Sequence, residues 1–176
     1  MRVLGIDPGL RRTGYACVHL PPRRLDPSLV EAGVIRLPVR GSLASRLGHL
    51  HRELQELMGE VRPTHMAVES LFSQARFART AIIMGHARGV VLLAAALHEL
   101  PLDELAPAEV KRAVAGRGAA TKDQVRRAVM AQCGLRSMRG PSDVSDAIAI
   151  ALCAARRAGG RDPTSASARR KEGSRS

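Results

Sequence analysis

The sequence predicts an α/β domain organised on a mixed sheet. Residues 3–7, 14–20 and 30–37 are short apolar runs in quick succession, which implies an antiparallel meander. At Ser42 the apolar spacing changes to three and four, the period of a helix, and residues 65–69 then return to a strand pattern. A strand reached through a helix lies parallel to the first strand of the sheet, so 65–69 is expected parallel to 3–7.

The first strand leads into VLGIDPGLRRTG, where Pro8-Gly9 turns the chain immediately after Asp7. A carboxylate at the end of a buried strand either caps its turn or has partners, metal ions or hydrogen-bond donors, that offset the cost of its burial. Gly5 and Gly9 are expected to keep the backbone bare for the close approach of a ligand. The prolines of PPRRLDPS separate the second and third strands. Leu43, Leu47, Leu50, Leu54, Leu57 and Val61 then form one face of a helix that Pro63 ends.

The strand HMAVE finishes on a second acid, Glu69. Residues 75–99 predict a long helix, basic at its start and rich in small residues after Gly85, suited to close packing in the core and also to a contact between subunits. Residues 101–106 are a weak fifth strand, and Pro107 opens a short helix carrying Lys111 and Arg112. GRGAA, residues 116–120, is expected to be a flexible basic loop. Thr121 to Gln124 form a capping box for the next helix. A last helix runs from about Ser142 to Arg157. Residues 1–158 thus form the domain, and 159–176 lack apolar periodicity and read as a disordered basic tail.

The chain of 176 residues suits one domain, with a core of Leu, Val, Ile and Ala because Tyr15, Phe72 and Phe77 are the only aromatics. Its net charge of +12 calls for a polyanionic partner. Seven Lys/Arg against two Asp/Glu in residues 156–176 carry +5 of it, so residues 1–155 keep +7 and the domain itself is basic. Three scattered cysteines, Cys17, Cys133 and Cys153, read as reduced core residues of a cytoplasmic protein. The longest apolar run, residues 90–97, is too short to span a membrane.

Asp143 and Asp146 stand three residues apart at the start of the last helix, where backbone amides favour negative charge. They either stabilise the helix start or, because the same face continues into Ala147, Ile150 and Ala151, turn toward the sheet. Four acids, Asp7, Glu69, Asp143 and Asp146, converging in a basic protein need cations between them. Oxygen donors of this kind suit Mg²⁺ or Mn²⁺. Two such ions can activate a water and stabilise a leaving 3′ oxygen in phosphodiester hydrolysis.

The succession GIDPGLRRTG, AVESLF, GHARGV, VKRAVAGRG with ATKDQV, and SDVSDAIAIA closely resembles the RuvC family of Holliday junction resolvases over residues 1–155. The resemblance implies a ribonuclease H-like fold, a central mixed five-stranded sheet flanked by helices, in a homodimer that makes paired cuts in four-way junction DNA. It places the family's metal-binding and catalytic acids, two ions per site, at Asp7, Glu69, Asp143 and Asp146. Family members vary at the third position, some using His. It also implies a base-stacking role for Phe72, otherwise a core residue. Lys111 and Lys122, otherwise solvated helix charges, would lie near the scissile phosphate, with Lys122 also catalytic. Sequence preference would come from Phe72, Ser73, Gln74 and Arg76, while Phe77 has no match. A junction-migration motor and a junction-binding platform are the expected protein partners.

Three other readings compete. DxGxxxxTG also resembles the phosphate-binding turn of actin-like ATPases, which need a second half that this length does not hold. A non-catalytic junction-binding protein would leave four spaced acids without a purpose. A related nuclease of the same fold, acting on another branched DNA or on RNA, remains the nearest rival.

Overall fold

A computed structural model describes residues 1–23, 26–70, 78–138 and 141–160. Five strands form one sheet in the order β3-β2-β1-β4-β5. They are β1 (Arg2–Asp7), β2 (Arg12–His19), β3 (Ser28–Arg36), β4 (His65–Glu69) and β5 (Leu102–Leu105). β1–β2 and β2–β3 pair antiparallel, while β1–β4 and β4–β5 pair parallel, so the expected mixed sheet is present with the weak fifth strand at its edge. The helices are α1 (Leu43–Val61), α2 (Ala78–Leu97), α3 (Pro107–Ala115), α4 (Lys122–Gln132) and α5 (Ser142–Gly159).

Helix ends follow local chemistry. The Ser42 hydroxyl accepts from Ser45 N at the start of α1, and Arg62 closes that helix in the left-handed region. Thr121 and Gln124 form the reciprocal capping box of α4. Pro107 occupies the first turn of α3.

Both faces of the sheet are covered. Leu4, Ile6, Cys17, Met66 and Val68 pack with Leu50, Leu54, Leu57 and Met58 of α1 and Ala87, Val91 and Ala94 of α2. Val3, Ala16, Val18, Ala67 and Leu105 pack on the opposite side with α5, whose residues 147–155 are all buried, and with Val110 of α3 and Val129 of α4. Two of the three cysteines, Cys17 and Cys153, are core residues as expected, and Cys133 is half-buried.

Two expectations change. Gly5 leaves no room for a ligand: a Cβ there would stand 2.6 Å from Ala147 O and Ala151 N, because α5 lies directly on the backbone of β1. Gly9 does line the cleft beside Asp7, and the turn also needs it bare, since a Cβ there would meet Arg12 O at 2.3 Å. The loop 116–120 is anchored at Gly118 and Ala120, while Gly116, Arg117 and Ala119 are exposed. Ala120 is buried in the core, and a Cβ on Gly118 would come within 3.1 Å of Ala108 O.

Candidate active site

Strand alternation places the first two acids. In β1, Val3 faces α5 while Leu4 and Ile6 face α1 and α2, so Asp7 shares the α5 side with Val3 and Gly5. In β4, Ala67 faces α5 and Met66 and Val68 face away, which puts Glu69 on that side too. Ile6 pairs with Val68 in the parallel ladder, so the two carboxylates end neighbouring strands side by side. The turn after Asp7 is pinned by Thr13, whose buried hydroxyl donates to Gly9 O at 2.9 Å and accepts from Gly9 N at 3.2 Å. Ser70 fixes the exit from Glu69, donating through its backbone N and its hydroxyl to Leu105 O at 2.8 and 3.1 Å.

The other two acids enter from α5. Gly14 pairs with Asp7 across the β1–β2 hairpin, and a Cβ on it would fall 2.0 Å from Asp143 O. The bare backbone at Gly14 therefore lets the first turn of α5 descend onto the sheet beside Asp7. Asp7, Glu69, Asp143, Asp146, Lys111 and Lys122 all line one cleft of about 400 Å³, closed below by Val110, Val125 and Ile150. α3 and α4, packed on α5, bring the two lysines to its rim. Phe72 and Arg76, with Ser73, Gln74 and Phe77, lie outside the described residues.

The charges in the cleft are poorly compensated. Burial, then the negative charges of Asp146, Glu69 and Asp143, push the Asp7 carboxyl up from 3.8 to about 7, against a smaller opposing pull from Lys122. Burial and Asp146 raise Glu69, with Lys111 and Lys122 opposing. Burial also raises Asp146, opposed by Lys122, whose Nζ is 3.5 Å from Asp146 Oδ2. Arg12 Nε stands 3.2 Å from Asp143 Oδ2, but this buried oxygen has no aligned hydrogen-bond partner. Among the described residues no three acid, His or Cys side chains close around a single point, so the four carboxylates ring an open cleft. The all-oxygen donor set, the unneutralised burial of Asp7 and the Asp143 oxygen that lacks a hydrogen bond fit hard divalent cations.

Arg12 escaped sequence reasoning because it is one arginine among many in a basic chain. Only the β1–β2 hairpin and the descent of α5 bring it to Asp143. Met84 of α2, which also lines the cleft, carries no chemical signature that would single it out.

The family model for crossover junction endodeoxyribonuclease RuvC matches residues 3–154. A protein of that name from Rhodopirellula baltica is 46% identical over 151 residues, covering 86% of this chain and 84% of the relative. Another, from Heliobacterium modesticaldum, is 43% identical over 155 residues, covering 88% and 94%. The solved structure of Thermus thermophilus RuvC in complex with Holliday junction substrate superposes with a TM-score of 0.80 at 33% identity, over 90% of this chain and 97% of that one. Motif order, sheet topology and these likenesses agree, and the chain belongs to the RuvC family of crossover junction endodeoxyribonucleases.

Proposed function

We propose that this protein resolves four-way DNA junctions by paired, divalent-metal-dependent hydrolysis of phosphodiester bonds, leaving 5′ phosphates and 3′ hydroxyls. The observation that carries this reading is the meeting of four carboxylates from β1, β4 and α5 around one cleft in a strongly basic chain. Membership of the RuvC family, and the Holliday junction seen with the Thermus thermophilus relative, support the same substrate.

Asp7, Glu69, Asp143 and Asp146 would hold two Mg²⁺ or Mn²⁺ ions per site. Such a pair supplies Lewis acidity at the scissile phosphate and at the oxygens that attack and leave. Asp7 gives up the proton that burial otherwise makes it retain, so cation affinity rises with pH. Lys122, exposed at the rim with its Nζ 3.5 Å from Asp146 Oδ2, would stabilise negative charge on the phosphate. Lys111 lies on the same rim to hold the strand, and Phe72 and Arg76 are proposed substrate contacts just beyond Glu69 in the chain.

Paired cuts need two equivalent sites, which a homodimer with twofold symmetry provides. The outer face of α2 supports this. Ile82, Leu93 and Leu97 are 63%, 53% and 63% exposed, and Ile82, Gly85, His86, Gly89, Val90 and Leu93 line a shallow groove.

The deciding experiment incubates the protein with a synthetic mobile four-way junction and with a linear duplex of matching sequence, each in Mg²⁺, Mn²⁺ or EDTA. Paired nicks in the junction alone, dependent on metal, are expected. Equal cutting of both substrates would sink the resolvase reading and leave a less selective nuclease of the same fold.

A further inference from the structure

A second groove, of about 560 Å³, adjoins the carboxylate cleft and shares Gly9, Met84 and Asp143 with it. Its other walls include Arg11 and Arg12 from the turn and start of β2, and Leu43 and Arg46 from the first turn of α1. Among the described residues its only acid is Asp143, which Arg12 pairs. Arg11 and Arg46 have no carboxylate partner there, and the buried Nε of Arg46 lacks any hydrogen bond.

One feature of this groove costs stability without a structural return. A cation in the first turn of a helix opposes the helix dipole, and α1 has Arg46 there and no acid in its first turn. Leu43 begins the apolar stripe of α1, yet it is 39% exposed and faces the groove rather than the core. Unneutralised guanidinium groups around a concavity, with an apolar residue between them, match a chain of phosphates with sugars in between.

We propose that this groove is a second DNA-backbone track, in which Arg11 and Arg46 hold successive phosphates of the strand that continues beyond the cleft, while Arg12 bridges track and cleft. The proposal rests on the nuclease reading and extends it to where the strand runs after the cutting point. Arg11 and Arg46 touch none of the four acids.

The test measures junction and duplex binding in EDTA, where cutting stops, across a salt series. With about 0.9 in log–log slope per phosphate contact, Arg11→Ala/Arg46→Ala should lower the slope by about 2 and weaken binding about tenfold or more at low salt. Arg11→Lys/Arg46→Lys should retain most of the slope, because it keeps the charges. Arg52→Ala/Arg62→Ala, the same change in net charge elsewhere, should leave the slope unaltered. A scan of neutral methylphosphonates along the cut strand should show a set of sensitive positions beyond the scissile phosphate that the alanine pair no longer senses. A wild-type slope in the alanine pair, an equal loss in the control pair, or failure of the lysine pair to retain the slope overturns the track. Wild-type protein that binds junction and duplex alike undermines the junction reading instead, and the slopes on duplex still decide the track.

Discussion

At the scale of single residues, the cleft is a balance between burial and charge, and Asp7 shows it most clearly. In the folded protein its carboxyl keeps a proton to about pH 7, whereas the unfolded chain releases it near 3.8. Between those values folding takes up a proton, so the contribution of this group to stability is greatest at the acid end and declines as pH rises through 7. Glu69 and Asp146 shift in the same direction and deepen the decline. In EDTA, the melting temperature should therefore fall between pH 5 and 8, and Asp7→Asn should flatten that fall. Adding Mg²⁺ at pH 8 should raise the melting temperature of the native protein and raise that of Asp7→Asn much less. A pH profile unchanged by the substitution would show that Asp7 is not the titrating group. In the cleavage assay the same variant should lose more than the roughly 10–100-fold that outer-shell partners of a metal carry, while still binding junction.

At the scale of elements, α5 is the part on which the site depends. Its small residues let it rest on the bare backbone of β1 and β2, so Ala147 and Ala151 meet Gly5 while Asp143 meets Gly14. Asp143 in its first turn and Asp146 just after it are carried down to the strand ends by this contact. Gly5→Ala places a methyl 2.6 Å from two backbone atoms of α5, which cannot move as a flexible side chain would. Overpacking of this kind costs about 1–3 kcal/mol. The variant should melt several degrees lower and should also cleave more slowly at a temperature where it remains folded, because a lifted α5 withdraws Asp143 and Asp146 from Asp7. A variant with a lowered melting temperature but wild-type cleavage would show that the position of α5 is not critical to the site.

At the scale of the whole molecule, the exposed apolar stripe of α2 is the feature that a lone domain does not explain. Leu93→Glu puts a charge in the middle of that stripe, on a side chain already half exposed, so the fold should tolerate it. If two copies meet there, sedimentation should show a dimer for the native chain and a monomer for the variant, and the variant should nick junctions singly instead of cutting in pairs. A dimer that survives Leu93→Glu would put the contact between copies elsewhere. The +7 carried by residues 1–155 makes all these assays sensitive to ionic strength, so the comparisons belong at one salt concentration.

The sequence by itself determined the elements and the acids. A change of apolar period at Ser42, the Thr121–Gln124 capping box and Pro107 are local signals, written in residues close together in the chain, and each holds in the structure. The motif order was specific enough to identify the family. Which side of the sheet the acids occupy was decided only by the tertiary structure. β1 is buried on both faces, so Val3-Leu4-Gly5-Ile6 shows no polar alternation from which to read the orientation of Asp7. The same holds for Gly5, whose missing side chain looked like room for a ligand and is filled by the backbone of α5. Arg12 beside Asp143, and the outward turn of Leu43, likewise depend on how distant segments pack. Short-range patterns record the conformation of a segment, whereas a site built from β1, β4, α3, α4 and α5 exists only once the core has brought them together.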